Sequence, residues 1–312
     1  MTGLDASALR ALSIAANDPR SPIETCSPEQ ARQNYLDGFA RLKLPLEAVA
    51  DTFERQAGAL RLKVWRGHGT PRVQAPALLY LHGGGFVIGA PESHEDICRR
   101  LANLTGAVVI APDYRLAPDH PFPAAIEDCA AALVYMVDEA ASLGIDPARV
   151  VVAGDSAGGN LAAVLALMAR DGNAPPLMAQ ILIYPVTDQT QTCDSYRRYA
   201  QEFGLTAPAM AWFRDHYLPD QADWSDWRAS PLYAPSLKGV APAFVILAGQ
   251  DLLLDEGSSY AARLAAESSA TVQVWPGQIH GFVSMGGVVP QAQDALAAAA
   301  KAWRAMDPTF GA

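Results

Sequence analysis

Ser156 stands in the run Gly154-Asp155-Ser156-Ala157-Gly158-Gly159. The run follows the β-branched stretch Arg149 to Ala153 and precedes an Ala/Leu/Val-rich segment of helical length, Asn160 to Arg170. A serine on so tight a strand-to-helix turn lifts its hydroxyl from the end of a sheet, where it can act as a nucleophile. Glycines two before and two after it relieve the crowding of the turn. The helix N-terminus behind it favours developing negative charge. Gly-x-Ser-x-Gly alone arises by chance in roughly one chain in ten of this size, so a second element must decide. His82-Gly83-Gly84-Gly85-Phe86, after the apolar strand Ala77 to Leu81, is that element. Three consecutive glycines leave the backbone free to turn N–H groups outward. A loop after a strand and ahead of the serine is placed to form an oxyanion hole.

A serine hydroxyl is a weak nucleophile and needs a base. For a serine on such a turn, the chain order is nucleophile, acid, histidine. Downstream of Ser156 only His216 and His280 remain. His216 falls inside a helical pattern, whereas His280 follows the last strand in the loop Gly277 to Phe282, where a general base must stand. For the acid, Asp251 directly follows the strand Ala243 to Leu247 and is assigned to catalysis. Asp255 precedes Glu256 and a helical run, the profile of a helix N-cap.

These residues need a scaffold, and the rest of the chain reads as one. Residues 1 to about 50 are helical in pattern, Ala8 to Ala15 and Pro28 to Arg41. Strand-like Ala59 to Arg66 and Ala77 to Leu81 follow. Helices Glu92 to Leu104, Pro123 to Ala141, the segment after Ser156, Glu256 to Ala266 and Gln291 to Trp303 are then interleaved with strands. Those strands are Ala107 to Ala111, Val150 to Ala153, Ala179 to Tyr184, Ala243 to Leu247 and Thr271 to Trp275. Such alternation predicts an α/β fold, a mostly parallel central sheet with helices on both faces, in one domain spanning 1–312. One stretch breaks it: Thr187 to Ser236, with helical pieces Ser195 to Glu202 and Ala207 to Tyr217. With residues 1–50 it is expected to form a helical cap, bulky residues such as Trp212 and Phe213 roofing the site. Trp224 and Trp227 are expected to anchor an extended loop.

A net charge of −10 argues against nucleic acid and anionic membrane surfaces as partners. No run approaches 18 uninterrupted apolar residues, so no membrane span is expected. The first residues lack a basic n-region and an apolar h-region, so no signal peptide is expected and the expected location is cytoplasmic. The four cysteines, Cys26, Cys98, Cys129 and Cys193, lie far apart without metal-type spacing and read as reduced thiols. Ser93-His94-Glu95 lacks the second histidine of a zinc helix, so no metal is expected.

In order along about residues 55–305, the chain resembles the hormone-sensitive-lipase-like (family IV) branch of the α/β-hydrolases. The matching runs are His82 to Phe86, Asp113-Tyr114-Arg115-Leu116-Ala117-Pro118, Gly154 to Asn160, Asp251 through Asp255-Glu256-Gly257, and His280-Gly281-Phe282. Leu252 stands where a Pro commonly follows the acid. The resemblance implies a carboxylesterase acting on short- to medium-chain acyl esters through Ser156, Asp251 and His280, without cofactor. It implies an oxyanion held by the N–H groups of Gly83, Gly84 and Ala157, with His82 and Asp113 to Arg115 as structural support and Asp155 in a turn. A small-molecule ester is the expected partner, with a homodimer left open. An amidase or peptidase could use the same machinery, but nothing in the chain speaks for an amine leaving group. A non-catalytic receptor on this fold would lack the histidine.

Overall fold

Period-2 and period-3.6 patterns resolve into eight strands and ten α-helices in the computed structural model, which describes residues 3–39 and 41–307. The strands are β1 (Asp51–Ala57), β2 (Leu60–Arg66), β3 (Ala75–Leu81), β4 (Val108–Pro112), β5 (Ile145–Asp155), β6 (Ala179–Ile183), β7 (Ala243–Gln250) and β8 (Ala270–Ile279). They form one sheet in the order β1-β2-β4-β3-β5-β6-β7-β8. The β1–β2 and β2–β4 pairs are antiparallel and the other five are parallel.

The helices are α1 (Ala6–Ala16), α2 (Pro28–Phe39), α3 (Glu95–Thr105), α4 (Ala124–Asp138), α5 (Ala140–Leu143), α6 (Ala157–Arg170), α7 (Asp194–Arg198), α8 (Ala207–Tyr217), α9 (Leu254–Glu267) and α10 (Gln291–Met306). Alternate strand residues feed two cores. Ala77, Leu79 and Leu81 of β3 pack with α4, α6 and α9, whereas Leu78 and Tyr80 pack with α3 and α10. A strand covered on both faces must be apolar throughout, and all seven residues of β3 are buried.

The parallel register brings distant motifs together. Leu81 pairs with Gly154, so the loop leaving β3 and the turn leaving β5 emerge side by side. Gln250 pairs with Ile279, so Asp251 and His280 leave neighbouring strands at one level. Both junctions lie at the carboxyl ends of the parallel strands, where such sheets place their sites.

The structure departs from the sequence reading in places. Strand β1 lies outside the strands read from the sequence: at the sheet edge Asp51, Thr52, Glu54 and Gln56 are exposed, and Phe53, Arg55 and Ala57 are only half-buried. The helix expected over Pro123 to Ala141 divides at Glu139. The pattern over Ser195 to Glu202 supports only the short α7. The end of the helix expected over Pro28 to Arg41 passes through residue 40, outside the described residues. Trp224 does anchor its loop: its indole N–H donates to Leu218 O, and the Arg214 guanidinium lies 3.6 Å from its ring centre. The four cysteines are unbonded to one another.

Candidate active site

Packing forces the turn at Ser156. A Cβ on Gly154 would lie 2.3 Å from Gly158 O, and one on Gly158 would lie 1.9 Å from Leu81 O. Ser156 itself takes φ 55° and ψ −117°, a conformation a non-glycine residue holds only under constraint. Its N–H donates to Ile183 O, which ties the turn to β6. The strain sets the hydroxyl at the mouth of a cavity of about 290 Å³.

His280 reaches that hydroxyl. Its Nε2 lies 2.9 Å from Ser156 Oγ, and its Nδ1 lies 2.8 Å from Asp251 Oδ2. Asp251 is 1% exposed, and its other oxygen accepts the Leu253 N–H at 2.9 Å. A carboxylate fixed in this way holds an imidazole in one tautomer, with Nδ1–H donating and Nε2 free to accept the serine proton.

The rival residues lie elsewhere. His216 Nδ1–H donates to Trp212 O at 2.8 Å, and its ring packs on Trp212. Asp255 is not the N-cap that its sequence profile suggested. It lies within the first turn of α9, whose cap position is Leu253. The Asp255 carboxylate instead accepts the Ser195 N–H at 2.9 Å and pairs with Arg198 at 2.6 Å, so α7 docks on it. The turn before α9 is closed by Asp251, through its carbonyl to Leu254 N–H and its side chain to Leu253 N–H.

The glycine loop also differs from expectation at one position. Gly83 was expected to offer its N–H to an oxyanion, but that N–H donates to Asp155 Oδ1 at 3.1 Å. Gly84 and Gly85 take positive φ and line the cavity. Among the described residues, no protein acceptor takes the N–H of Gly84, Gly85 or Ala157.

Asp155 carries more than a turn. Besides Gly83 it accepts from Tyr80 Oη at 2.8 Å and binds His94 Nε2 at 3.2 Å, while His94 Nδ1 meets Ser93 Oγ at 2.8 Å. Burial alone would raise the Asp155 pKa, but His94 and the bond from Tyr80 outweigh it and leave the carboxyl below its ordinary value. The sequence offers His94 only as an incomplete metal motif, and its bond to Asp155 is hidden because the two lie 61 positions apart. His82 is buried against Tyr114, ring centres 4.1 Å apart, and Tyr114 Oη donates to His82 O. Burial first, and then the neighbouring His94, lowers the His82 pKa to about 3, so this ring is neutral and supports the loop.

The cavity walls come from both ends of the chain. Ala15, Ile23, Tyr35 and Leu42 form one side; Leu205, Ala209 and Phe213 of the excursion form another. Trp212 is not among the lining residues. A second space of about 480 Å³ between α1 and α2 shares Ala15, Ile23, Tyr35 and Leu42 with the first.

Comparison with known proteins identifies the family. Residues 78–284 match a family model described as the alpha/beta hydrolase fold. The chain belongs to the α/β-hydrolases, in their hormone-sensitive-lipase-like branch. It is 41% identical to an ethyl acetate hydrolase of Pseudomonas putida over 88% of this chain and 89% of the relative. It is 38% identical to the esterase LipI of Mycobacterium tuberculosis over 86% and 85% of the two chains. Among solved structures, a thermostable esterase from Pseudomonas putida superposes with TM-score 0.92 at 33% identity over 98% of both chains. A hyperthermophilic esterase from the archaeon Pyrobaculum calidifontis superposes with TM-score 0.89 at 37% identity, over 98% of this chain and 99% of that one. This α/β-hydrolase is an enzyme, a carboxylic-ester hydrolase. No helix among its described residues is long and apolar enough to cross a membrane.

Proposed function

We propose that this esterase cleaves short- to medium-chain acyl esters by acyl transfer through Ser156, His280 and Asp251. The supporting observation is the unbroken path Asp251 Oδ2–His280–Ser156 Oγ, two contacts of 2.8 and 2.9 Å opening onto an apolar cavity. Neutral His280 takes the Ser156 proton as the hydroxyl attacks the ester carbonyl, and Asp251 stabilises the imidazolium that forms. The tetrahedral oxyanion is held by the N–H groups of Gly84, Gly85 and Ala157, Gly83 being engaged by Asp155. One such donor is worth about 2.7–4 kcal/mol in the transition state. His280 then protonates the departing alcohol, and a water activated by the same ring releases the acid. Residues of about 1–50 and 187–236 act as the cap that shapes the pocket.

An organophosphate should add one phosphoryl group, on the peptide bearing Ser156. Ser156→Ala and His280→Gln should be nearly inactive towards p-nitrophenyl butyrate, and His216→Gln close to normal. A label on another serine, or an active His280→Gln, would refute the assignment.

A further inference from the structure

Glu256 is wholly buried, although it is the residue type least suited to that place. Its Oε1 accepts the N–H groups of Thr187 at 2.7 Å and Asp188 at 3.1 Å, the first residues of the excursion. Its Oε2 has no partner at full hydrogen-bonding geometry and faces the Tyr196 hydroxyl, which is unpartnered in the same way. Glu256 sits in the first turn of α9, immediately after the turn that Asp251 closes. One side chain thus joins the base of the excursion to the loop that carries the acid.

We propose that Glu256 is a positioning residue: it fastens the base of the excursion to the loop of Asp251 and so sets the carboxylate behind His280. The inference rests on the reading of Asp251 as the acid of the reaction.

The surroundings fix the form in which Glu256 does this. From the excursion, Asp188, Cys193 and Tyr196 face it; from the β7–α9 loop, Asp251 does. Among the described residues no lysine or arginine pairs with it, and the nearby Arg198 is held by Asp255. An ionised Glu256 would place a charge in a buried site beside two other carboxylates, with no cation and only the Tyr196 hydroxyl to meet its second oxygen, which costs far more than a neutral acid. Burial, opposed only in part by the two N–H donors, together with the charges of Asp188 and Asp251, pushes its pKa well above the ordinary range. The pocket therefore favours the neutral acid as the form in which Glu256 holds the two N–H groups. Ionising it as pH rises adds a negative charge beside Asp188 and Asp251 and loosens the junction.

The test compares wild type, Glu256→Gln, Glu256→Ala and Asp251→Asn by kcat and KM for p-nitrophenyl butyrate across pH, with circular dichroism at each pH. Glutamine keeps an acceptor for both N–H groups but cannot ionise. The expected result is an alkaline fall of kcat in wild type, without loss of fold, that is absent in Glu256→Gln. Glu256→Ala should lose about 10–100-fold in kcat with KM changed less than about threefold, and glutamine should restore most of it. An alkaline fall unchanged in Glu256→Gln, a wild-type profile without that fall, or wild-type kcat in Glu256→Ala overturns the proposal. If Glu256→Ala does not fold, the glutamine profile alone decides. An active Asp251→Asn overturns the underlying reading as well; an inactive Asp251→Asn beside an unaffected Glu256→Ala overturns only the role given to Glu256.

Discussion

The N–H of Gly83 is held by Asp155, the residue immediately before the nucleophile, across 3.1 Å. The two loops that must act on one carbonyl are therefore a single piece. A Cβ at Gly83 would lie 2.4 Å from Asp155 Oδ2 and 2.9 Å from Asp155 O. Neither atom can yield, because one is backbone and the other is buried and bonded to His94. Gly83→Ala should shift the glycine loop and lower kcat by about 100-fold, with a small change in KM, since the ground state needs the oxyanion donors less. Steady-state kinetics on a folded variant checks this; a wild-type kcat would show that the loop is positioned by other contacts.

The two aspartates near α9 separate chemistry from docking. Asp251→Asn disturbs the tautomer of His280 and should lower kcat by about four orders of magnitude. Asp255→Asn weakens the bonds to Ser195 and Arg198 and should cost at most about 1–2 kcal/mol of stability, with little effect on kcat. Parallel kinetics and urea unfolding distinguish the two; equal kinetic losses would mean that the acid is misassigned.

Part of the site was legible in the sequence because backbone geometry leaves few choices. The turn at Ser156 excludes side chains at Gly154 and Gly158, so its pattern announces itself locally. His280 and Asp251 are picked out by their places after strands, since position in an alternating pattern encodes position at the sheet's end, and the structure brings the two within 2.8 Å. The identity of the free N–H groups was not legible. Whether Gly83 or Gly85 points to the oxyanion depends on Asp155, 72 positions away, which reaches Gly83 through the β3–β5 register. The bond of His94 to Asp155 is hidden for the same reason. Strand β1 was hidden because an edge strand with one solvated face needs no apolar run. Asp255 looked like a cap because acidic residues favour the first turn of a helix generally, whether or not they close it.

Burial of a neutral histidine makes stability depend on pH. The His82 pKa is lowered to about 3 in the folded protein, against an ordinary value of 6.5. Between these values the unfolded chain binds a proton that the folded one excludes, so stability falls as pH falls through that window. The slope from this group approaches about 1.4 kcal/mol per pH unit. Chemical unfolding at pH 7, 6, 5 and 4 should show it, and His82→Asn should flatten the profile while lowering stability at pH 7. Parallel profiles for the two proteins would mean that other groups govern the acid limb.

Chain-length preference follows from the walls of the cavity. The space over Ser156 is about 290 Å³, with apolar walls that include Ile23, Leu205 and Phe213. Each methylene buried there adds about 0.8 kcal/mol while room lasts. Activity on p-nitrophenyl esters should rise from acetyl to butyryl or hexanoyl, then drop at long chains that outgrow this space. The neighbouring space between α1 and α2, about 480 Å³, shares Ala15, Ile23, Tyr35 and Leu42 with it. Removing residues 1–40 would strip Ala15, Ile23 and Tyr35 from the wall. It would also remove Asp5, which accepts from Gln278 Nε2 at 2.8 Å two positions before His280. The truncated protein should therefore lose activity on every chain length, with Ser156 still in its turn. A continued rise to long acyl chains would place the acyl group in the outer space instead. Efficient hydrolysis of emulsified long-chain triglyceride, activated at the oil–water interface, would make the enzyme a lipase and refute the short-chain reading.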